Sequence, residues 1–177
     1  SNGYIVVMQH PVTNEYQDSR KQIEITLRVI QKINLPTLWF WPNVDAGADG
    51  TSTGIRAFRE QHMLPNVHFF KNMEGDDFLK LLNNSLCLVG NSSVGVRECA
   101  FLGIPVVNIG SRQNKREQGE NCINVEYSEE AIEKAILESL KKDKIVSSRV
   151  YGNGNAGETL ANILAEVNLI FHKTIMY

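Results

Sequence analysis

The amino-acid sequence predicts an α/β fold: a single doubly wound, Rossmann-like parallel sheet with helices on both faces, formed by residues 1–177 as one domain. Short apolar runs alternate with longer amphipathic ones, which is the pattern of βαβ units around a parallel sheet. The run at residues 86–89 is uniformly apolar, as expected for a strand that is covered on both faces. A chain of this length can bury its own core without disulfides or metals.

Six strands are predicted, and the first two stop at a proline. The first is rich in β-branched residues and ends before His10-Pro11, and the second ends at Pro42. The predicted strands are residues 4–9, 37–41, 67–70, 86–89, 105–109 and 122–125.

Six helices are predicted in the connections between and after these strands. Ser128 is a typical N-cap, and the helix that it begins has Lys141 and Lys142 in its last turn. Gly103 is a typical residue to end the helix after the fourth strand, with Pro105 just beyond it. The helices are expected to begin at Thr13 or Asn14, near Thr51, at Asp76, after Gly90, at Ser128 and near Ala156, the last one reaching Phe171.

Composition and charge exclude several classes of protein. A net charge of -2 argues against a nucleic-acid binder, which usually carries a basic excess. No segment is long and apolar enough to span a membrane and no signal peptide is seen, so a cytoplasmic protein is expected. The three cysteines are widely spaced, which favours a reducing compartment over a disulfide scaffold or a zinc site. No cofactor and no metal are expected.

A glycine-rich stretch near the end of the chain resembles a dinucleotide-binding motif. Residues 152–157 match the GxGxxG spacing and precede a predicted helix. A dinucleotide fold also needs an acidic residue about 20 positions later, at the tip of a second strand. Because the sequence stops at Tyr177, we interpret this stretch as a turn and a helix start.

Polar side chains follow four of the predicted strands. Because ligands collect beyond the carboxyl ends of parallel strands, these side chains predict a binding site at one edge of the sheet. They are His10 after the first strand, Asn43 and Asp45 after the second, Ser92 and Ser93 after the fourth, and Arg112 after the fifth.

The stretch Val89 to Glu98 carries the most specific part of this prediction. The N-terminus of a helix offers unpaired N–H groups, so Ser92 and Ser93 could hold a phosphate there. Glu98, about one and a half turns further on, could reach ribose hydroxyls. The alternative is that Ser92 only caps the helix and that Glu98 is a solvated surface acid.

Arg112 and His10 are candidate partners of the same phosphates. Arg112 lies in a polar loop with Lys115 and Arg116, and an arginine can engage two phosphate oxygens at once. His10 could donate to a diphosphate or carry a proton. The alternatives are a solvated loop of mixed charge and a histidine that only shapes a turn.

With these motifs in order, the chain resembles the C-terminal half of the hydrolysing UDP-N-acetylglucosamine 2-epimerases, which include the epimerase half of the bifunctional epimerase/ManNAc kinases. The resemblance covers nearly the whole chain. Its motifs are His10-Pro-Val-Thr, Pro42-Asn-Val-Asp-Ala-Gly, GNSSVGVRE at residues 90–98, GIPVVN at 103–108, GSRQ at 110–113 and YGNGNA at 151–156.

The resemblance implies a GT-B-like enzyme of two Rossmann-type domains, of which this chain is the second. Its partners would be UDP or UDP-N-acetylglucosamine and its own N-terminal domain, and the exposed faces of the first helices leave room for a homo-oligomer. The implied roles are diphosphate binding for Ser92 and Ser93 with Arg112 and His10 beside it, ribose binding for Glu98, cleft lining for Asn43 and Asp45, and uracil binding by the backbone near Met73.

The implied reaction eliminates UDP from UDP-N-acetylglucosamine, passes through a glycal and adds water to give N-acetylmannosamine, a precursor of sialic-acid-type sugars. The acid/base carboxylates would lie mainly in the N-terminal domain, so the chain alone is expected to be inactive. Two alternatives stay open: the donor domain of a GT-B glycosyltransferase and a non-catalytic nucleotide-sugar-binding domain. A 2,4-diacetamido sugar is an open alternative to N-acetylglucosamine.

Overall fold

A six-stranded parallel sheet forms the centre of the computed structural model, which describes residues 3–43, 46–142 and 144–168. The strands lie in the order β3-β2-β1-β4-β5-β6. They span β1 Ile5–Met8, β2 Thr37–Phe40, β3 Val67–Phe70, β4 Cys87–Gly90, β5 Val106–Ile109 and β6 Cys122–Val125. The chain winds outward from β1 to β3 and then returns to β4, so the strand order reverses between β1 and β4. This is the predicted doubly wound sheet, with its switch point at β1 and β4.

Helices cover both faces of the sheet, as predicted. One face packs the side chains of Ile5 and Val7 with those of α1, α2 and α6, and the other packs Val6 and Leu88 with α3 and α5. The helices are α1 Ser19–Ile33, α2 Ala48–Gln61, α3 Gly75–Asn83, α4 Ser93–Val96, α5 Glu98–Leu102, α6 Glu129–Ser139 and α7 Ala156–Glu166.

Several predicted helix ends are wrong. A 3-10 segment occupies Thr13–Asp18, so the first α-helix begins only at Ser19. α2 begins three residues earlier than expected, and α6 ends at Ser139, before Lys141 and Lys142. The Ser128 cap is confirmed, because its hydroxyl accepts from the N–H of Ala131. α7 begins after the glycine-rich stretch as predicted, and the expected end of this helix at Phe171 lies outside the described residues.

The single helix predicted after β4 is broken into α4 and α5. In a continuous helix the carbonyl of Gly95 would accept from the N–H four residues later. Here it accepts from the side-chain amide of Asn121 at 3.1 Å. The chain turns at Arg97, with φ -105° and ψ -76°, and α5 then ends at Gly103 in the left-handed conformation, as predicted. A tertiary hydrogen bond to the β6 side of the sheet therefore replaces the helical one, and Glu98 begins a new helix.

Candidate functional site

The loops that follow β1 and β4 are joined at the switch point by the side chain of Asn91. Asn91 has no solvent exposure. Its Oδ1 accepts from the main-chain N–H of His10 at 2.7 Å, and its Nδ2 donates to the carbonyl of His10 at 2.8 Å. The side-chain amide thus extends the pairing of β1 with β4 by one step and fixes the chain at His10.

His10 in turn connects these loops to the one after β2. Its buried ring accepts the main-chain N–H of Asn43 at Nδ1, at 3.1 Å. A ring nitrogen that accepts a hydrogen bond carries no proton, so the neutral imidazole holds its proton on Nε2. In the neutral ring Nε2 can therefore donate a hydrogen bond or pass on its proton, so both predicted roles of His10 stay open.

The loop after β5 is tied to the same residue. The carbonyl of Asn91 accepts from Nε2 of Gln113 at 2.8 Å and from the guanidinium of Arg112 at 3.4 Å. Gln113 is almost completely buried, whereas Lys115 and Arg116 are exposed. Of the three cations predicted in this loop, the structure brings Arg112 to the switch point.

Ser92 and Ser93 follow Asn91 directly and open α4. Ser92 is buried and is the N-cap, with its hydroxyl accepting from the N–H of Val94 at 3.4 Å. That Ser92 caps this helix is therefore confirmed, and a role in phosphate binding stays a prediction. Because α4 has only four residues, it lacks the dipole of a long helix, and the chemical resources here are two hydroxyls and the first main-chain N–H groups.

Glu98 begins α5 and is not a fully solvated acid. Its Oε1 accepts from the guanidinium of Arg97 at 3.0 Å, and this bond and the charge of Glu98 raise the pKa of Arg97. Its Oε2 is buried and has no hydrogen-bond partner among the described residues. The carboxylate lines a cavity of about 600 Å³ together with apolar side chains such as Phe101 and Leu102. Such a buried oxygen calls for a hydrogen-bond donor that the described residues do not supply.

The remaining predicted residues are less informative. Met73 is partly buried and packs against the apolar cluster on the α3 and α5 face of the sheet. The N–H of Asn43 is used by His10, while the residue itself is exposed. Asp45 lies outside the described residues.

Two residues at this edge were missed from the sequence. Glu15 accepts from Nε2 of Gln22 at 2.8 Å and from the hydroxyl of Ser111. Tyr127 follows β6, and burial, with a contribution from the charge of Glu15, raises its pKa to about 12. The position of Tyr127 after a strand was an available signal, whereas Glu15 matched an ordinary first-turn helix acid.

The described part of the chain contains neither a metal-ligand cluster nor a helix that could span a membrane. Among residues 3–43, 46–142 and 144–168, no group of three or more His, Cys, Asp or Glu side chains could hold a metal ion. Within the same ranges, every helix is too short or too polar to cross a bilayer.

Comparisons with known proteins place this geometry in a family context. The profile of the UDP-N-acetylglucosamine 2-epimerase family matches residues 1–165. The UDP-N,N'-diacetylbacillosamine 2-epimerase (hydrolyzing) of Legionella pneumophila is 32% identical over 164 residues, which are 93% of this chain and 43% of that protein. The UDP-N-acetylglucosamine 2-epimerase of Neisseria meningitidis is 26% identical over 167 residues, 93% of this chain and 42% of that protein.

Solved structures with the same fold include two that hold nucleotide. The Neisseria meningitidis UDP-GlcNAc 2-epimerase bound to UDP-GlcNAc superposes with a TM-score of 0.72 at 17% identity, over 94% of this chain and 46% of that one. The S. aureus MnaA–UDP structure gives a TM-score of 0.70 at 17% identity, over 99% and 48%. At such identities the likeness establishes the fold, and the chain spans less than half the length of these proteins.

The buried amide of Asn91 makes a sharp prediction about stability. In an Asn91→Asp variant the donor to the His10 carbonyl is replaced by a buried carboxylate oxygen. We expect the free energy of unfolding to fall by about 3 kcal/mol or more, because a lost partner and a buried charge are both unfavourable. Urea denaturation followed by the fluorescence of Trp39 and Trp41 measures this loss.

Asn84→Asp is the matched control. Its Nδ2 donates to the carbonyl of Lys80 at the same 2.8 Å distance, but at an exposed site. We expect a loss below about 1 kcal/mol there, since water replaces the donor. Equal losses in the two variants would contradict the role given to Asn91.

Proposed function

Because the chain belongs to the UDP-N-acetylglucosamine 2-epimerase family over residues 1–165, we propose that it is the UDP-binding half of a hydrolysing UDP-N-acetylglucosamine 2-epimerase. Such an enzyme converts UDP-N-acetylglucosamine and water to N-acetylmannosamine and UDP. The observation that carries the proposal is the set of hydrogen bonds made by Asn91 and His10, which join the loops after β1, β2, β4 and β5 at the switch point.

The proposed role of this site is to hold the leaving group. Elimination breaks the bond between the anomeric carbon and the diphosphate oxygen, so negative charge develops on the UDP as the glycal forms. Hydrogen-bond donors fixed in place beforehand stabilise such charge without reorganisation. The donors proposed here are Nε2–H of His10, the guanidinium of Arg112 and the hydroxyls of Ser92 and Ser93.

The nucleoside is proposed to lie along α4 and α5. Ribose hydroxyls would donate to Glu98, whose Oε2 is buried without a protein donor among the described residues. The backbone near Met73 would meet the uracil, and Asn43 and Asp45 would line the cleft. The three free cysteines suit a reducing compartment, so we propose a cytoplasmic enzyme.

The base that removes the proton from C2 of the sugar is assigned to the part of the relatives that this chain does not span. The relatives compared above are more than twice as long as the matched segment. In this scheme the chain binds UDP. The remaining part of the full-length protein, as its intramolecular partner, carries out the proton transfers. Sialic-acid-type sugars are the proposed destination of the product.

Glu98→Gln tests the ribose contact. We expect UDP affinity to fall by about 1–3 kcal/mol, because a carboxylate that accepts hydroxyl hydrogen bonds is replaced by a neutral amide. Calorimetric titration should be run with UDP and with 2′,3′-dideoxy-UDP. Wild type should prefer UDP by a similar margin, and Glu98→Gln should show a clearly smaller preference, because the amide keeps only one neutral acceptor for the ribose hydroxyls.

Glu138→Gln is the control for this experiment. Glu138 is also a helical glutamate in an exposed ion pair, with Lys142 at 3.2 Å, but it lies on α6. This variant should retain both the affinity and the preference for UDP. If Glu98→Gln still distinguished UDP from the dideoxy compound as wild type does, the ribose assignment would be wrong.

Because the base is assigned to the part that this chain does not span, we expect the 177-residue chain to bind UDP-N-acetylglucosamine but not to turn it over. Incubation at high protein concentration, with UDP and N-acetylmannosamine both quantified, should give no product above the uncatalysed background. Release of N-acetylmannosamine by the chain alone would show that a competent base lies within it.

A further inference from the structure

Glu15 lies outside the residues assigned to UDP, although its carboxylate is held at the same edge of the sheet. The 3-10 segment leaves helical geometry at this residue, with φ -124° and ψ 20°. This places Oε2 where it accepts from Nε2 of Gln22, at 2.8 Å, and Oε1 where it accepts from the hydroxyl of Ser111. Gln22 is a buried residue of α1, so the carboxylate is held from the side of a rigid helix.

Ser111 immediately precedes Arg112. The loop after β5 is therefore attached at two points, with Ser111 held by Glu15 and with Arg112 and Gln113 directed to the carbonyl of Asn91. The Gln113 bond, at 2.8 Å, fixes one side of Arg112, and the Glu15 bond fixes the other. The backbone of Arg112 is thus clamped between two hydrogen-bonded neighbours.

Two cavities meet at this contact. One, of about 390 Å³, is lined by Arg112 and Thr13, and the other, of about 370 Å³, by Tyr127 and Glu126. Glu15 and Ser111 line both, so their contact is part of the wall between them. Without this contact, the loop that carries Arg112 would lose its attachment at Ser111 and would keep the one at Gln113.

We propose that Glu15 is a positioning residue for Arg112, acting through Ser111 to hold the guanidinium at the diphosphate of the nucleotide. This role rests on the proposed function, since it presumes that Arg112 meets phosphate. Both carboxylate oxygens already accept hydrogen bonds from the protein, so Glu15 holds the loop and is not itself a ligand of the anion. Glu15 is therefore assigned to the arrangement of Arg112 and not to contact with substrate.

The test compares UDP and UMP affinities of four variants by calorimetry, with Arg112→Ala as the reference. Arg112→Ala gives the loss of affinity that is due to the guanidinium, measured separately for UDP and for UMP. Glu15→Ala and Ser111→Ala should each weaken UDP binding by about tenfold, the effect of one charge-assisted hydrogen bond. Their relative effects on UDP and UMP affinity should match those of Arg112→Ala. Glu15→Ala combined with Arg112→Ala should bind no more weakly than Arg112→Ala alone.

Two further variants separate positioning from a general structural effect. Glu15→Gln keeps an acceptor for Ser111 and should recover most of the UDP affinity that Glu15→Ala loses. Glu24→Ala removes an α1 carboxylate that pairs with Arg20 at 2.9 Å on the exposed side, and it should bind UDP as wild type does. Thermal unfolding of each variant measures its stability, so that UDP affinities are compared only between folded proteins.

Three outcomes would overturn the positioning role of Glu15 and leave the proposed diphosphate site in place. The first is that Glu15→Ala binds UDP with wild-type affinity. The second is that the double variant loses the full sum of the affinity losses of Glu15→Ala and Arg112→Ala. The third is that Glu15→Gln does not recover the UDP affinity that Glu15→Ala loses, because the acceptor for Ser111 is then irrelevant. If Arg112→Ala itself bound UDP like wild type, the diphosphate site would be wrong, and this role of Glu15 would fall with it.

Discussion

The paired hydrogen bonds between the Asn91 side chain and the main chain of His10 are the contact on which the rest of the site depends. They lie at the point where the strand order reverses, and water does not reach them. A buried main-chain group that loses its hydrogen-bond partner lowers the free energy of unfolding by about 1–3 kcal/mol. Either the two bonds form together, or this edge of the sheet rearranges. The carbonyl of Asn91 then anchors the loop after β5, and the ring of His10 anchors the loop after β2. Four loops are thereby positioned by two buried residues, Asn91 and His10.

Under the proposed function, this arrangement accounts for how a short helix would serve a diphosphate. α4 is too short for a strong dipole, and the cap of Ser92 already uses one of its N–H groups. The proposed donors come instead from three different loops, each held by a tertiary hydrogen bond. Preorganised donors of this kind suit a departing UDP better than a mobile cationic loop, because no free energy is spent on ordering them at the moment of bond cleavage.

Much of this fold could be predicted from local patterns. The apolar runs located all six strands to within one or two residues, and the positions of polar residues after β1, β2, β4 and β5 located the switch-point edge. The break at Arg97 could not be predicted, because the bond from Asn121 to Gly95 joins residues 26 positions apart. The same limit applies to Glu15, whose partner Ser111 is 96 positions away. Asn91 was visible within a motif, but its central place depends on contacts that only the folded chain reveals.

A crystal structure of the chain with UDP tests the central claim most directly. The account predicts the diphosphate at the start of α4, within about 2.7–3.2 Å of the Ser92 or Ser93 hydroxyl, the Arg112 guanidinium and Nε2 of His10. It also predicts ribose hydroxyls on Oε2 of Glu98. Nucleotide bound elsewhere on the chain, or a diphosphate at this edge that contacts neither Arg112 nor the two serines, would contradict it.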